Sequence, residues 1–152
     1  MKIRNSYSEQ ETESIGFELG LLLVGEPRVV ILLDGDLGAG KTTFTKGLAR
    51  GIGISSIVNS PTFTIMKKYT SDDRFHRLYH LDLYRLEGVN DDFDLEEYID
   101  GVGMIVIEWP FQVEGILPFD YLLVKFNKIS ETQREITMEC HGYPCKRAVQ
   151  LI

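Results

Sequence analysis

Gly35-Asp36-Leu37-Gly38-Ala39-Gly40-Lys41-Thr42 matches the phosphate-loop pattern G-x-x-x-x-G-K-[ST] at every specified position. Glycines in such a loop let the backbone turn tightly and bring its N–H groups up to phosphate oxygens. Lys41 is placed to add a point charge at the β- and γ-phosphates, and a hydroxyl in the Thr42 position is the usual Mg²⁺ ligand. The flanks agree with that reading. Val29-Val30-Ile31-Leu32-Leu33 predicts a buried strand leading into the loop, and Thr43 to Arg50 predicts a helix whose N-terminus faces the anion. A glycine-rich turn with no ligand would need neither flank. The pattern predicts a nucleoside triphosphate site.

Composition bounds the rest. With 152 residues, 43% of them hydrophobic, the chain is long enough for one real core, so a single domain over residues 1–152 is expected. No apolar run approaches the roughly 18 residues of a membrane span. The short run Leu19 to Val24 follows the acidic segment Glu9 to Glu18, whereas a secretory signal wants a basic start. A cytoplasmic location is expected. The net charge of −7 disfavours direct, tight RNA binding, which normally shows a basic surface. The basic clusters, Lys67-Lys68 and Arg74 to Arg77, read as solvated strand ends or loops. Cys140 and Cys145 enclose His141, but zinc needs about four ligands and no second pair exists, so free thiols are expected.

Ser8-Glu9-Gln10-Glu11 has capping-box spacing and opens a helix with Ile15, Leu19, Leu22 and Leu23 on one face, ending near Gly25 and Pro27. The loop helix stops at Gly51-Ile52-Gly53. Ser60-Pro61-Thr62 opens an extended segment, because a residue before proline is pushed out of the α region. Strands are predicted at Phe63–Tyr69 and Leu78–Tyr84, joined by the polar turn Ser71-Asp72-Asp73, then at Met104–Ile107, Tyr121–Phe126 and Glu135–Cys140. A helix is predicted over Asp92–Ile99. The pattern is α/β: a P-loop NTPase-like three-layer fold with a mixed sheet carrying antiparallel strands.

A phosphate loop also needs a carboxylate at the end of a neighbouring strand to organise Mg²⁺. Met104-Ile105-Val106-Ile107-Glu108 and Leu78-Tyr79-His80-Leu81-Asp82 both end an apolar strand on an acid. Asp34 abuts the loop and reads as part of its turn. Guanine selection is not supported, since Asn127-Lys128-Ile129-Ser130 puts Ser where N-K-x-D needs Asp, and the segment reads as a polar turn. A small-molecule kinase wants a lid with several arginines, and those after the loop are scattered. Three readings are left: an ATPase, a nucleotide switch whose turnover is incidental, and, less favoured, a stand-alone kinase.

Several ordered segments resemble one family. Glu11-Thr12, the loop through Thr43, Ser60-Pro61-Thr62-Phe63, His80-Leu81-Asp82-Leu83-Tyr84-Arg85, Glu96-Glu97-Tyr98 and Glu108-Trp109-Pro110 together are similar to TsaE, the bacterial ATPase of tRNA threonylcarbamoyladenosine biosynthesis. The match spans almost the whole chain and is loose at Asn90–Asp94, Phe111–Phe119 and the C-terminal tail. The resemblance implies weak ATP hydrolysis by the isolated protein and work in a complex with TsaB and TsaD, which attach threonylcarbamoyl to the adenosine beside the anticodon. It implies that ATP resets or regulates that complex, and that tRNA is met indirectly.

Residue roles follow from motif and resemblance together. Lys41 and the backbone of Leu37, Gly38, Ala39, Gly40, Lys41, Thr42 and Thr43 would cradle ATP, with Thr42 on Mg²⁺. Glu108 is the second metal contact, direct or through water, and Asp82 either orients the attacking water or shares the Mg²⁺ shell. Ser60, Pro61 and Thr62 are either a γ-phosphate switch or a proline-fixed turn. His80, Asp82 and Tyr84 share one strand face, and His80, Tyr84, Arg85 and Trp109 join residues 60–62 as switch or partner candidates. Arg85 suits partner docking or structural work, or else phosphate charge; Trp109 fills the core or packs by the nucleotide. The resemblance alone puts Thr12 and Arg134 at the adenine edge.

Overall fold

The computed structural model describes residues 1–59, 66–82, 102–108, 118 and 120–152. The described strands are β1 (Lys2–Ser6), β2 (Arg28–Asp34), β3 (Met66–Thr70), β4 (Arg77–Asp82), β5 (Gly103–Glu108), β6 (Tyr121–Lys128) and β7 (Arg134–His141). The described helices are α1 (Glu9–Leu23), α2 (Lys41–Gly51) and α3 (Lys146–Leu151). The strands form one sheet in the order β1-β7-β6-β2-β5-β4-β3. β2 runs parallel to β5 and β6, and β4 parallel to β5. The outer pairs β1–β7, β6–β7 and β3–β4 are antiparallel. The mixed-sheet α/β expectation holds.

Helix α1 begins at Ser8 as the spacing predicts, but the returning bond from Glu11 goes to Tyr7, one residue before the N-cap. The Ser8 hydroxyl accepts the Glu11 N–H at 3.1 Å, and the Glu11 carboxylate accepts the Tyr7 N–H at 2.7 Å. The buried stripe is Thr12, Ile15, Gly16, Leu19, Gly20 and Leu23. Leu22, expected in that stripe, is instead 36% exposed. The stripe is rotated towards Gly16 and Gly20, because these glycines face α2 at very close range. A Cβ on Gly16 would sit 2.2 Å from the Phe44 carbonyl oxygen, and one on Gly47 would sit 2.0 Å from the Glu13 carbonyl oxygen. Gly20 and Gly51 meet in the same way. Small residues four apart on both helices thus bring two backbones into contact, with no side chain between them.

Below this helix pair, Val29, Ile31 and Leu33 of β2 join Leu48 and Phe44 of α2, Leu19 and Leu23 of α1, and Val149 of α3 in one core. The Phe44 ring meets Phe126 of β6 edge-on at 5.3 Å. On the opposite face of the sheet Val30, Leu32, Ile105, Ile107 and Leu81 are buried as well. A strand buried on both faces reads as a continuous apolar run, which is why β2 and β5 were legible without alternation.

Several expectations shift. Helix α2 starts at Lys41, inside the motif, rather than at Thr43. It stops as predicted, with the N–H groups of Gly53 and Ile54 bonded to the carbonyls of Arg50 and Ala49. Asn127 and Lys128 belong to β6, paired with Glu135 and Arg134, so the polar turn begins at Ile129. Cys140 and Cys145 are not free thiols but a disulfide. The chain reverses through Gly142, which has φ +79°, and brings the start of α3 back against the end of β7. Compartment argued for thiols; the turn sets the two Cα atoms 5.7 Å apart, within bridging distance. The predicted helix at 92–99 and residues 63–65 and 83–84 of the predicted strands lie outside the described residues.

Unfolding stability should respond to these contacts. Gly16→Ala or Gly47→Ala should cost at least about 3 kcal/mol in urea unfolding, since a backbone atom must move. Gly25→Ala, where a Cβ would meet nothing within 4 Å, should be neutral or slightly stabilising. Replacing Cys140 with Ser and Cys145 with Ala should remove about 2 kcal/mol, the loop-closure value for so short a bridge. The same unfolding curve measures it.

Candidate nucleotide site

The loop after β2 is shaped by its glycines. Ala39 N–H bonds the Asp36 carbonyl at 3.0 Å, closing a turn, and Gly38 and Gly40 take φ values of +79° and +105°. A side chain at either position would be strained, so the pattern's glycine at 40 is a backbone requirement. Gly40 is also the N-cap of α2, and among the described residues no side chain caps it. The first turn of α2 therefore presents backbone donors and the positive end of the helix dipole at the loop. Leu37 at the tip is 91% exposed, while Ala39 is buried.

Lys41 is 6% exposed and its ammonium donates to the Gly35 carbonyl oxygen across the loop. Burial lowers its pKa below the ordinary 10.5, and Glu108, Asp82, Asp34 and Asp36 pull against that, in that order. Two of those carboxylates come from the strands singled out above. In the sheet, Leu33 is opposite Glu108, and Glu108 is opposite Asp82. Three adjacent parallel strands thus finish level with one another, and the loop springs from the first of them. Glu108 is 4% exposed, and its Oε1 lies 3.1 Å from Nε2 of His80, which has no exposed surface.

Behind the loop stand Thr12 and Arg134. Arg134 donates from Nε to the Ala39 carbonyl at 3.1 Å and from Nη2 to the Gly38 carbonyl at 3.2 Å, while Nη1 reaches the Ser130 carbonyl at 2.7 Å. The Thr12 hydroxyl shares a 2.6 Å hydrogen bond with Ser6, and its methyl is 3.5 Å from where a Gly40 Cβ would be. Both residues bear on the loop itself. Arg134 thereby satisfies the Gly38 and Ala39 carbonyls of the loop.

Of the sequence-derived site residues, Lys41, Asp82 and Glu108 are brought together electrostatically, and Leu37 to Thr43 form the loop and first turn. Ser60, Pro61, Thr62, Tyr84, Arg85 and Trp109 lie outside the described residues. His80, expected among switch or partner positions, faces inward on Glu108. Sequence reasoning missed that pair, and it missed the glycine contact that seats α2. The spacings Gly16-x-x-x-Gly20 and Gly47-x-x-x-Gly51 were the signal for the contact.

The Lys41 environment carries a sign. Between its lowered value and 10.5 the unfolded chain binds more protons than the folded one, so this group makes stability rise with pH through that window. Urea stability followed from neutral pH up to 10.5 should show that rise, and Lys41→Met should flatten it.

Comparison with known proteins gives this geometry a family. Residues 6–136 match the family model for the threonylcarbamoyl adenosine biosynthesis protein TsaE. The chain is 48% identical over 117 residues to the tRNA threonylcarbamoyladenosine biosynthesis protein TsaE of Bacillus subtilis, covering 77% of this chain and 73% of that one. It is 41% identical over 135 residues to the protein of the same name from Treponema pallidum, covering 88% and 96%. The crystal structure of Bacillus subtilis YdiB superposes with a TM-score of 0.79 at 35% identity, over 98% of this chain and 91% of that one. The chain belongs to the TsaE family of tRNA threonylcarbamoyladenosine biosynthesis proteins.

Proposed function

We propose that this chain binds ATP with Mg²⁺ and hydrolyses it as a subunit of the tRNA-modifying assembly, resetting or regulating a complex with TsaB and TsaD. The observation that carries the reading is the level ending of β2, β5 and β4, which gathers Lys41, Glu108 and Asp82 at one edge of the sheet. Lys41 exchanges the Gly35 carbonyl for the β- and γ-phosphates, and the backbone from Leu37 to Thr43 supplies N–H donors. The Thr42 hydroxyl and the carboxylates of Glu108 and Asp82 are hard oxygen donors, the class that Mg²⁺ takes. Bound there, Mg²⁺ would neutralise charge on the phosphates as the terminal one is transferred. Thr42 and Glu108 would hold it, Glu108 directly or through water. Asp82 orients the water that attacks the γ-phosphorus, or shares the metal shell; ADP leaves with the bridging oxygen.

Thr12 and Arg134 set the loop's shape and edge the adenine. Residues 60–62, His80, Tyr84, Arg85 and Trp109 were expected to sense the γ-phosphate or meet partners, and apart from His80, those positions keep that assignment. A chain of net charge −7 suits a subunit that meets tRNA through TsaB and TsaD rather than by its own grip. Its work is in the cytoplasm, with the tRNA. No described helix is long and apolar enough to cross a membrane.

Reconstitution with TsaB, TsaD and tRNA tests the reading. Glu108→Gln and Asp82→Asn should each retain ATP binding, lower ATP turnover about 100-fold, and stop modification after the first rounds. Should modification continue through many cycles without turnover, ATP acts as a binding switch instead. Modification indifferent to ATP addition at this subunit would sink both. A phosphorylated small-molecule product would mark a kinase.

A further inference from the structure

His80 is the buried polar side chain that the reaction as described leaves unused. It sits on β4 opposite Val106, two residues along the ladder from the Asp82–Glu108 pair and on the same face, so it reaches Glu108 on the diagonal. Both side chains are withdrawn from solvent, and the Nε2–Oε1 distance of 3.1 Å is a hydrogen bond. A carboxylate that is to hold a metal accepts in this bond, which places the bonding ring proton on Nε2 of His80. Nδ1 then carries a lone pair and has no hydrogen-bond partner among the described residues. An unpaired acceptor is the more tolerable orphan in a protein interior, so the same tautomer suits both nitrogens. Full burial also denies His80 contact with an attacking water, which removes it as a general base.

We propose that His80 is a positioning residue for the metal carboxylate: by donating Nε2–H to Oε1 it fixes the rotation of Glu108 and leaves Oε2 as the oxygen offered to Mg²⁺, a role resting on the metal contact proposed for Glu108. A free Glu side chain has rotamer entropy to lose on being ordered. Spending it within the folded protein means that metal binding does not have to. The tie also matters because Asp82 lies directly across from Glu108. Like charges on paired positions push apart, and a carboxylate anchored from the core side holds its place against that push. Metal ligands are commonly oriented by such partners, and their loss typically weakens metal affinity about 10- to 100-fold.

Two measurements decide it. With ¹⁵N-labelled histidine, His80 should appear as the Nε2–H tautomer with a slowly exchanging ring proton. The Nδ1–H tautomer would overturn the assignment. The second measurement is ATP affinity by calorimetry, with and without Mg²⁺. His80→Leu should cut the Mg²⁺-dependent gain in affinity about tenfold and leave Mg²⁺-free binding within about twofold. His80→Gln, whose amide N–H reaches the Nε2 position, should recover most of the gain. In the Glu108→Gln background His80→Leu should add nothing further. A gain unchanged in His80→Leu, or lost equally in the Leu and Gln variants at native Tm, would refute the role. If His80→Leu does not fold, His80→Asn, with its donor at the Nδ1 position, serves as the loss variant. A wild-type protein whose ATP affinity ignores Mg²⁺ would refute the metal role of Glu108 and this one with it. Normal Mg²⁺ dependence with an inert His80 would refute this one alone.

Discussion

Hydrogen-bond register across three parallel strands is the constraint on which the rest of the site depends. Leu33, Glu108 and Asp82 lie side by side because β2, β5 and β4 are paired in that alignment. A slip of one residue would turn Glu108 to the other face of the sheet and exchange it for an apolar neighbour. The slip is opposed by close packing on both faces, since Val29 to Leu33 are all buried and each would have to refit a space shaped for a different side chain. The position of the carboxylates is thereby paid for by core burial, and the acids themselves need contribute nothing to stability.

The loop is governed from its rear as much as from its own glycines. Arg134 gathers the Gly38 and Ala39 carbonyls, and Thr12 packs against Gly40. Arg134 comes from β7 and Thr12 from α1, so elements at the far side of the sheet from β4 determine how the loop is held. Lys41 sits between that support and the acids. Its burial and the four surrounding carboxylates oppose each other, leaving an ammonium that is desolvated and close to negative charge.

Much of this was legible because it is local. A strand, a glycine loop and a helix occupy consecutive residues, and an apolar run ending in an acid is read directly from Met104 to Glu108. The resemblance carried the family further than spacing could. What escaped notice depends on long-range pairing. Strand β1 is a short polar segment, Lys-Ile-Arg-Asn-Ser, which becomes a strand only because β7 offers it an edge. Arg134 and Gly38 are 96 residues apart, and no local pattern joins them. The His80–Glu108 pair needs the β4–β5 alignment before it exists at all. Leu22 failed for a related reason: periodicity finds an apolar stripe, while the direction of closest approach was set by glycines that hydropathy scarcely counts.

That approach has a consequence for how such a sequence can vary. Where two helices touch through side chains, a larger residue on one can be answered by a smaller one on the other. At the glycine positions between α1 and α2 the opposing atoms are backbone: carbonyl groups, amide nitrogens and Cα atoms. A side chain added at Gly16 or Gly47 therefore has no reciprocal truncation available, because nothing on the other helix can be made smaller. These positions should not covary with their neighbours across a lineage. They should either stay glycine or change together with the spacing of the helices, and with it the seat of the glycine-rich loop.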